Sequence, residues 1–369
     1  MIAAGVLCMA AGMAQAEKVA LATFLEPNHV ITRTLHQAWA EDLRAASNGE
    51  IDFEVFVGGT LMPPLSQLRG VADGVAQAGI HGAPYTPAEL PVANALADLG
   101  FLSSDEFVLA YAYADFMTHE LVGIAEWERN GVIYGAGFAN PTYYYLCNDD
   151  LSTAADMKGK RVRTSGAGWA RFSQSIGMVP VNLPSSEIYT GLERGALDCA
   201  NADVTHLVNG ATIIDLTESV VMLPTAPAFA SPGIVYNRPW WQGLTPEQRR
   251  IVFDTTARAM ARVQIEFALQ VDASVEAGKA KGIRFNEPEP ALLALRDQWV
   301  ADGIGDLAGL ARDTYGIEDP EALFALFQTY IDKWSGLMEG VDRTDEDALT
   351  ALVKTNLFDT IDTETYGVN

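Results

Sequence analysis

The sequence predicts an α/β chain of two lobes, each a sheet flanked by helices, with a cleft between them. Three observations predict it. A β-α-β-α-β order of patterns opens the chain, a second run of the same kind follows from residue 142, and a long helical pattern starts at Thr245. At about 150 residues per domain, 369 residues make two domains.

Residues 18–24 (KVALATF) are an apolar run suited to a buried strand. After the loop at 25–29, residues 30–46 read as an amphipathic helix, with Leu35, Trp39 and Leu43 spaced by four. Asn48-Gly49 ends it, and residues 51–57 alternate as a strand does. Pro63-Pro64 starts a helix that ends near Gly70, and residues 76–80 form a short strand. Strands joined through helices imply a parallel sheet.

The second run repeats this order. Residues 142–148 are a strand, and Thr153 with Asp156 makes a capping box before a short helix. Strand 161–165, helix 169–176 and strand 179–183 follow. A helix opened by Ser186-Glu187 is closed by Gly195, and strand 196–200 comes next. Thr245, Pro246 and Gln248 supply an N-cap, a first-turn proline and a capping-box partner. No Pro or Gly interrupts the pattern before Gly278, so a helix of about 32 residues and about 48 Å is expected along both lobes. Residues 291–300, 321–338 and 346–357 read as further helices.

The formal net charge is −24, which excludes nucleic acid and anionic lipid surfaces as partners. Residues 1–16 are uncharged and end in Ala14-Gln15-Ala16, so they are expected to be a secretory signal peptide cut after Ala16, delivering the chain to the periplasm. No later stretch approaches the ~18 uncharged apolar residues of a membrane span. Cys147 and Cys199 remain after cleavage. They can pair in an oxidising compartment or stay as two small core residues, and the sequence leaves both readings open.

No nucleophile elbow, P-loop, dinucleotide fingerprint or zincin motif is present. The five histidines are scattered without metal-ligand spacing. The expectation is therefore a protein without catalysis or cofactor and without a metal-ligand motif, the sequence leaving open whether a metal ion bridges a bound carboxylate, and a secreted enzyme on the same scaffold is the weaker rival.

Residues 151–203 contain Asp156-Met157-Lys158-Gly159, then Arg161 and Arg163, then Pro180-Val181 followed by Glu187, Tyr189, Leu192, Gly195 and Asp198. This pattern resembles the solute-binding proteins of TRAP (tripartite ATP-independent periplasmic) transporters, of the dicarboxylate-binding type. The resemblance extends more weakly over residues 19–285. It implies a two-lobed periplasmic binding protein fold with mixed sheets, a long helix behind both lobes, and closure over a small organic acid. It also implies two membrane partners, a small four-helix and a large multi-helix protein. The expected division is residues 17–140 with about 225–265 in the first lobe and residues 141–224 with about 266–310 in the second. Residues 311–369 are expected to form a C-terminal helical extension. A binding subunit feeding another importer or a sensor is the alternative.

In that family the arginine matching Arg163 pairs with the substrate carboxylate, and a planar guanidinium suits the task by giving two parallel donors. Arg161 shares its side of the strand, so parity does not choose between them, whereas the motif selects Arg163. Trp169, after Gly166-Ala167-Gly168, is a pocket wall or a core residue. Asn201 stands one position earlier than the family's pocket asparagine, and Asp203 is the nearby alternative. Tyr143 and Tyr145 lie where the chain crosses between lobes. Phe24, Asn28, His81 and Tyr85 follow strand ends of the first lobe, and Phe229 follows another crossing. Relatives carry a second arginine in a G-x-R turn, where Gly137-Phe138-Ala139-Asn140 stands here. A monocarboxylate, or an acid with an apolar body, is therefore expected rather than a dicarboxylate.

Overall fold

The structure is a computed structural model and describes residues 18–103 and 105–368. The expected signal peptide lies outside the described residues. Eleven strands are described: β1 (Val19–Ala22), β2 (Phe53–Phe56), β3 (Ala78–Gly79), β4 (Val132–Gly137), β5 (Tyr144–Cys147), β6 (Arg161–Thr164), β7 (Val179–Asn182), β8 (Cys199–Ala202), β9 (Ser219–Val221), β10 (Pro232–Asn237) and β11 (Arg284–Asn286). They form two sheets, ordered β2-β1-β3-β10-β4 and β11-β9-β5-β8-β6-β7.

Both sheets are mixed. In the first, β1 pairs in parallel with β2 and β3, while β10 runs antiparallel to β3 and β4. In the second, β6 is parallel to β7 and β8, and β5 is antiparallel to β8 and β9. Each sheet thus keeps a parallel unit, β1-β2-β3 and β6-β7-β8, as the β-α-β order predicts; β10 enters the first antiparallel from later in the chain, whereas β5, expected to open the second parallel run, is antiparallel to β8. Cys147 and Cys199 face each other across β5 and β8 with Cα atoms 4.0 Å apart, and they form a disulfide.

The early helix starts as expected but is not uniform. Thr32–Ala38 is wound as a π-helix and Trp39–Ala46 as an α-helix, with Leu35, Trp39 and Leu43 fully buried. The capping box at Thr245 and Gln248 is present, and the helix runs over 36 residues, Pro246–Lys281. It passes Gly278 because that glycine is a packing requirement: a Cβ there would lie 2.9 Å from the Phe285 ring and 3.1 Å from Leu207. Gly282, at φ +94°, is the left-handed residue that ends it. The earlier part of this helix buries Phe253, Met260 and Val263 in the first sheet's core, while the Gly278 end meets the second sheet's layer.

The expected helix at 291–300 is longer, Pro290–Tyr315. Trp299 packs on Phe101 and Phe172 beneath the second sheet, whereas Leu307 and Ala311 join the first core. The chain's end is built into that first core. Phe327, Trp334, Met338, Val353 and Phe358 are buried in it. The indole N–H of Trp334 donates to Asp115 Oδ2 at 2.8 Å, and Lys333 Nζ to the same oxygen at 2.6 Å.

Candidate functional site

A cavity of about 60 Å³ lies between the two sheets. One wall comes from the first sheet: Phe24 and His29 follow β1, His81 and Tyr85 follow β3, and Phe138 and Asn140 follow β4. The other comes from the second sheet: Arg163 is in β6, Ser165 follows it, and Ser185 and His206 follow β7 and β8. Tyr143 joins this wall because β5 is antiparallel, so its start lies at the edge where β8 ends. Side chains therefore converge at the carboxyl edges of the parallel strands, the usual ligand position in open α/β sheets.

Two arginines leave β6 on one side, and their partners separate their roles. Arg161, at the strand's start, is committed to Asp198: its Nε lies 2.9 Å from Oδ2 and its Nη2 2.6 Å from Oδ1. Arg163 lies two residues further, at the cavity, and is 1% exposed. Its Nε donates to the Leu183 carbonyl at 2.9 Å and its Nη1 to the Asn201 carbonyl at 3.2 Å, which fixes the guanidinium plane. The Tyr143 hydroxyl lies against it, with burial pushing that hydroxyl's pKa up and the guanidinium pulling it back. Among the described residues Arg163 has no ion pair with Asp or Glu. Among the described residues it is also the single Lys or Arg on the cavity wall, and no described Asp or Glu lines that wall. A buried cation without an anion is costly, so the arrangement favours one incoming negative charge.

The remaining polar groups are neutral or already paired. Burial lowers the pKa of His29, His81 and His206 to about 3 each. His81 Nε2 is 2.8 Å from the Thr86 hydroxyl of its own loop. The Asn140 amide donates to Asp203 Oδ2 at 3.1 Å, and Asp203 also accepts from the Thr205 N–H at 3.0 Å and from its hydroxyl. Burial raises the Asp203 pKa, and these hydrogen bonds oppose the shift. The two walls touch directly where the Ser185 N–H donates to the Tyr85 hydroxyl at 3.1 Å.

The profile of DctP, bacterial extracellular solute-binding protein family 7, matches residues 21–299. The chain belongs to this family. It is 25% identical to the 2,3-diketo-L-gulonate-binding periplasmic protein YiaO of Escherichia coli over 231 residues, 59% of this chain and 65% of that one. It is 26% identical to the monocarboxylate 2-oxoacid-binding periplasmic protein all3028 of Nostoc over 166 residues, 44% of each chain. The aligned segments thus span about half to two thirds of the curated relatives. Solved structures share the fold over nearly their whole length. An extracytoplasmic solute receptor of Bordetella pertussis binding pyroglutamic acid has a TM-score of 0.73 at 19% identity, over 85% of this chain and 100% of that one. A marine metagenome TRAP solute-binding protein in complex with 3-hydroxybenzoate has 0.77 at 18% identity, over 87% and 99%. Among the described residues no helix is long and apolar enough to cross a membrane.

Within this family 7 chain, five residues singled out from sequence come together on the cavity wall: Arg163, Tyr143, Phe24, His81 and Tyr85. Six do not line it. Trp169 is buried beside Tyr143 and Phe101, its indole N–H donating to the Ala226 carbonyl at 3.2 Å, so it is a core residue behind the wall. Tyr145 points into the same core, with its hydroxyl 3.1 Å from that of Ser173. Asn201 turns its amide to the Tyr144 carbonyl and Thr225 hydroxyl and reaches the site only through its main-chain oxygen, which holds Arg163. Asp203 is held behind the wall by Asn140 and Thr205. Asn28 is at the exposed seam, bonded to Thr212 at 3.2 Å. Phe229 stacks on Phe327 and packs on Tyr113 in the first core. Sequence reasoning missed His29, His206 and the serines, and it noted Asn140 only as part of the stretch 137–140 that stands where relatives have a G-x-R turn.

Proposed function

We propose that this chain is the extracytoplasmic solute-binding subunit of a TRAP transporter, which captures a small organic monocarboxylate by closure of its two lobes and hands it to membrane subunits. The observation that carries the reading is Arg163: a buried guanidinium, oriented by two main-chain carbonyls, facing a cavity between lobes and lacking a carboxylate partner among the described residues. Phe24, Phe138 and Tyr85 supply an apolar and aromatic surround for the body of the acid. A dicarboxylate would need a second cation, and among the described residues no Lys or Arg other than Arg163 lines the cavity. Pyroglutamate, benzoate and 3-hydroxybenzoate, found in family neighbours of the same fold, each carry one carboxylate. Closure follows from the difference in contacts: the acid touches both walls only when they meet. The reading places the mature chain in the periplasm after removal of residues 1–16, with a small four-helix and a large multi-helix membrane protein as partners. It divides the described chain at the crossings near residues 140, 225 and 265. No covalent step is involved.

The test is a thermal-shift panel of organic acids at about 1 mM. A ligand with Kd near 1 µM adds about 4 kcal/mol and raises the melting temperature by several degrees. Monocarboxylates with apolar bodies should stabilise and their methyl esters should not. Stabilisation by dicarboxylates alone, or by none of the acids, would overturn the proposal.

A further inference from the structure

His29 and His206 meet across the seam between the two walls. Their ring centroids are 5.8 Å apart, and the residues are only 5% and 3% exposed. The loop after His206 is bent to bring them together. Gly210 sits at φ +59°, and a Cβ there would fall 2.7 Å from His29 Cδ2 and 3.2 Å from His206 Nδ1. Thr212 holds φ +52° although it is not glycine, and its hydroxyl accepts from the Asn28 amide on the other side of the seam. Strained backbone of this kind persists where the surrounding structure over-determines it. His29 Nδ1 accepts the Ile31 N–H at 3.2 Å, so the neutral ring carries its proton on Nε2. His206 Nδ1 has no partner.

The charges facing the pair come from several elements. His29 faces His206, Asp203, His36 and Arg33, and His206 faces Arg163. Asp203 would welcome a proton on His29 but is already engaged by Asn140 and Thr205. Arg33 is paired with Glu266 at 2.8 Å. A proton on either imidazole would therefore add positive charge to a buried seam that already holds Arg163.

We propose that His29 and His206 form a clasp between the walls that holds the cavity shut only while both rings are neutral, so that solute is captured at neutral pH and released in acid. The clasp rests on the solute-binding reading above. Opening the seam returns each ring to water and to a pKa near 6.5, whereas the closed seam keeps it well below. Between those values the open form binds protons that the closed form cannot, so falling pH favours opening. The loss sets in below about pH 6.5 and amounts to about tenfold per histidine at pH 5.5, about a hundredfold for both.

The experiment is calorimetric titration of the mature chain with benzoate, 3-hydroxybenzoate and pyroglutamate at pH 7.5, 6.5 and 5.5, where the carboxylates stay ionised. Wild-type Kd should rise about a hundredfold over this range. His29→Gln and His206→Gln should each retain about one decade of the change, and His119→Gln, whose ring lies away from the cavity beside the Thr360 hydroxyl, should retain both. A wild-type Kd that does not move with pH, or single variants that keep the full change, would overturn the clasp while leaving the solute reading intact. Absence of binding by all three acids at pH 7.5 would remove the solute reading and the clasp with it.

Discussion

Replacing Arg163 with methionine separates a ligand-binding arginine from a structural one. Methionine fills much of the same volume, so the substitution removes charge and donors with little added cavity. In the ligand-free protein the carbonyls of Leu183 and Asn201 lose their donors, at about 1–3 kcal/mol each if water does not reach them. Opposing this is relief from burying a cation that has no carboxylate partner among the described residues. The two effects oppose one another, and the ligand-free chain should change by less than about 2 kcal/mol in urea unfolding. Binding has no such compensation. Losing the charge-assisted fork to a desolvated carboxylate costs about 2–5 kcal/mol, so Kd should weaken by about 30- to 4,000-fold in calorimetry. Arg163→Lys keeps the charge but cannot reach two carbonyls and a carboxylate at once, and it should fall between. Affinity within threefold of wild type for Arg163→Met would refute the reasoning. So would a loss of more than 5 kcal/mol without ligand, which would make the arginine structural.

Three further outcomes follow from the packing. Cys147→Ser with Cys199→Ser opens a link spanning 52 residues, and the chain-entropy relation puts the loss near 4 kcal/mol; urea unfolding should show it, with acid binding retained because both sulfurs lie away from the cavity wall. Trp334→Ala removes a fully buried indole bonded to Asp115 and should cost about 3–5 kcal/mol, visible as a lowered melting temperature, so that the chain's end behaves as part of the first lobe. Glu126 is buried, accepts the N–H groups of Val92 and Ala93 at 2.6 and 2.8 Å, and burial pushes its pKa up to about 7. Between pH 4.5 and 7 the folded state binds the extra proton, so this group's contribution to stability falls by about 3 kcal/mol as pH rises through that window and stays lost above it. Glu126→Gln should flatten that slope in urea unfolding measured from pH 4.5 to 8, and an unchanged slope would contradict the assignment.

What could be read from the sequence depended on how local the physics was. The start of the long helix was legible because both halves of its cap are neighbours, with Thr245 Oγ accepting the Gln248 N–H and Gln248 Oε1 accepting the Thr245 N–H. Its end was misplaced because the reason for Gly278 is a side chain from β11. Helix Glu106–His119 was silent because it is buried all round and shows no polar stripe. Strand β10 begins Pro232-Gly233 and reads as loop, yet Gly233 is needed there because a Cβ would meet Leu35 at 2.2 Å. Arg163 was legible from its motif, and Asp198 of the same motif proves to hold Arg161 away from the cavity. Trp169 was read as a candidate wall from its glycines, but Gly166, at φ +144°, serves the turn into helix Ala167–Ser175, Gly168 leaves room for Asp98, whose Oδ1 would lie 2.6 Å from a Cβ there, and the indole turns inward. His29 and His206 carried no pattern, because they belong to loops of different sheets and only tertiary folding joins them.

The central claim is that Arg163 receives the carboxylate of a small acid between the two lobes. A crystal structure of the mature protein grown with benzoate tests it most directly. The account predicts the carboxylate within about 3 Å of the Arg163 guanidinium, with the ring against Phe24 or Phe138 and Tyr85 still touching Ser185. A benzoate bound elsewhere, or an Arg163 that makes only its two main-chain contacts while the cavity holds water, would contradict it.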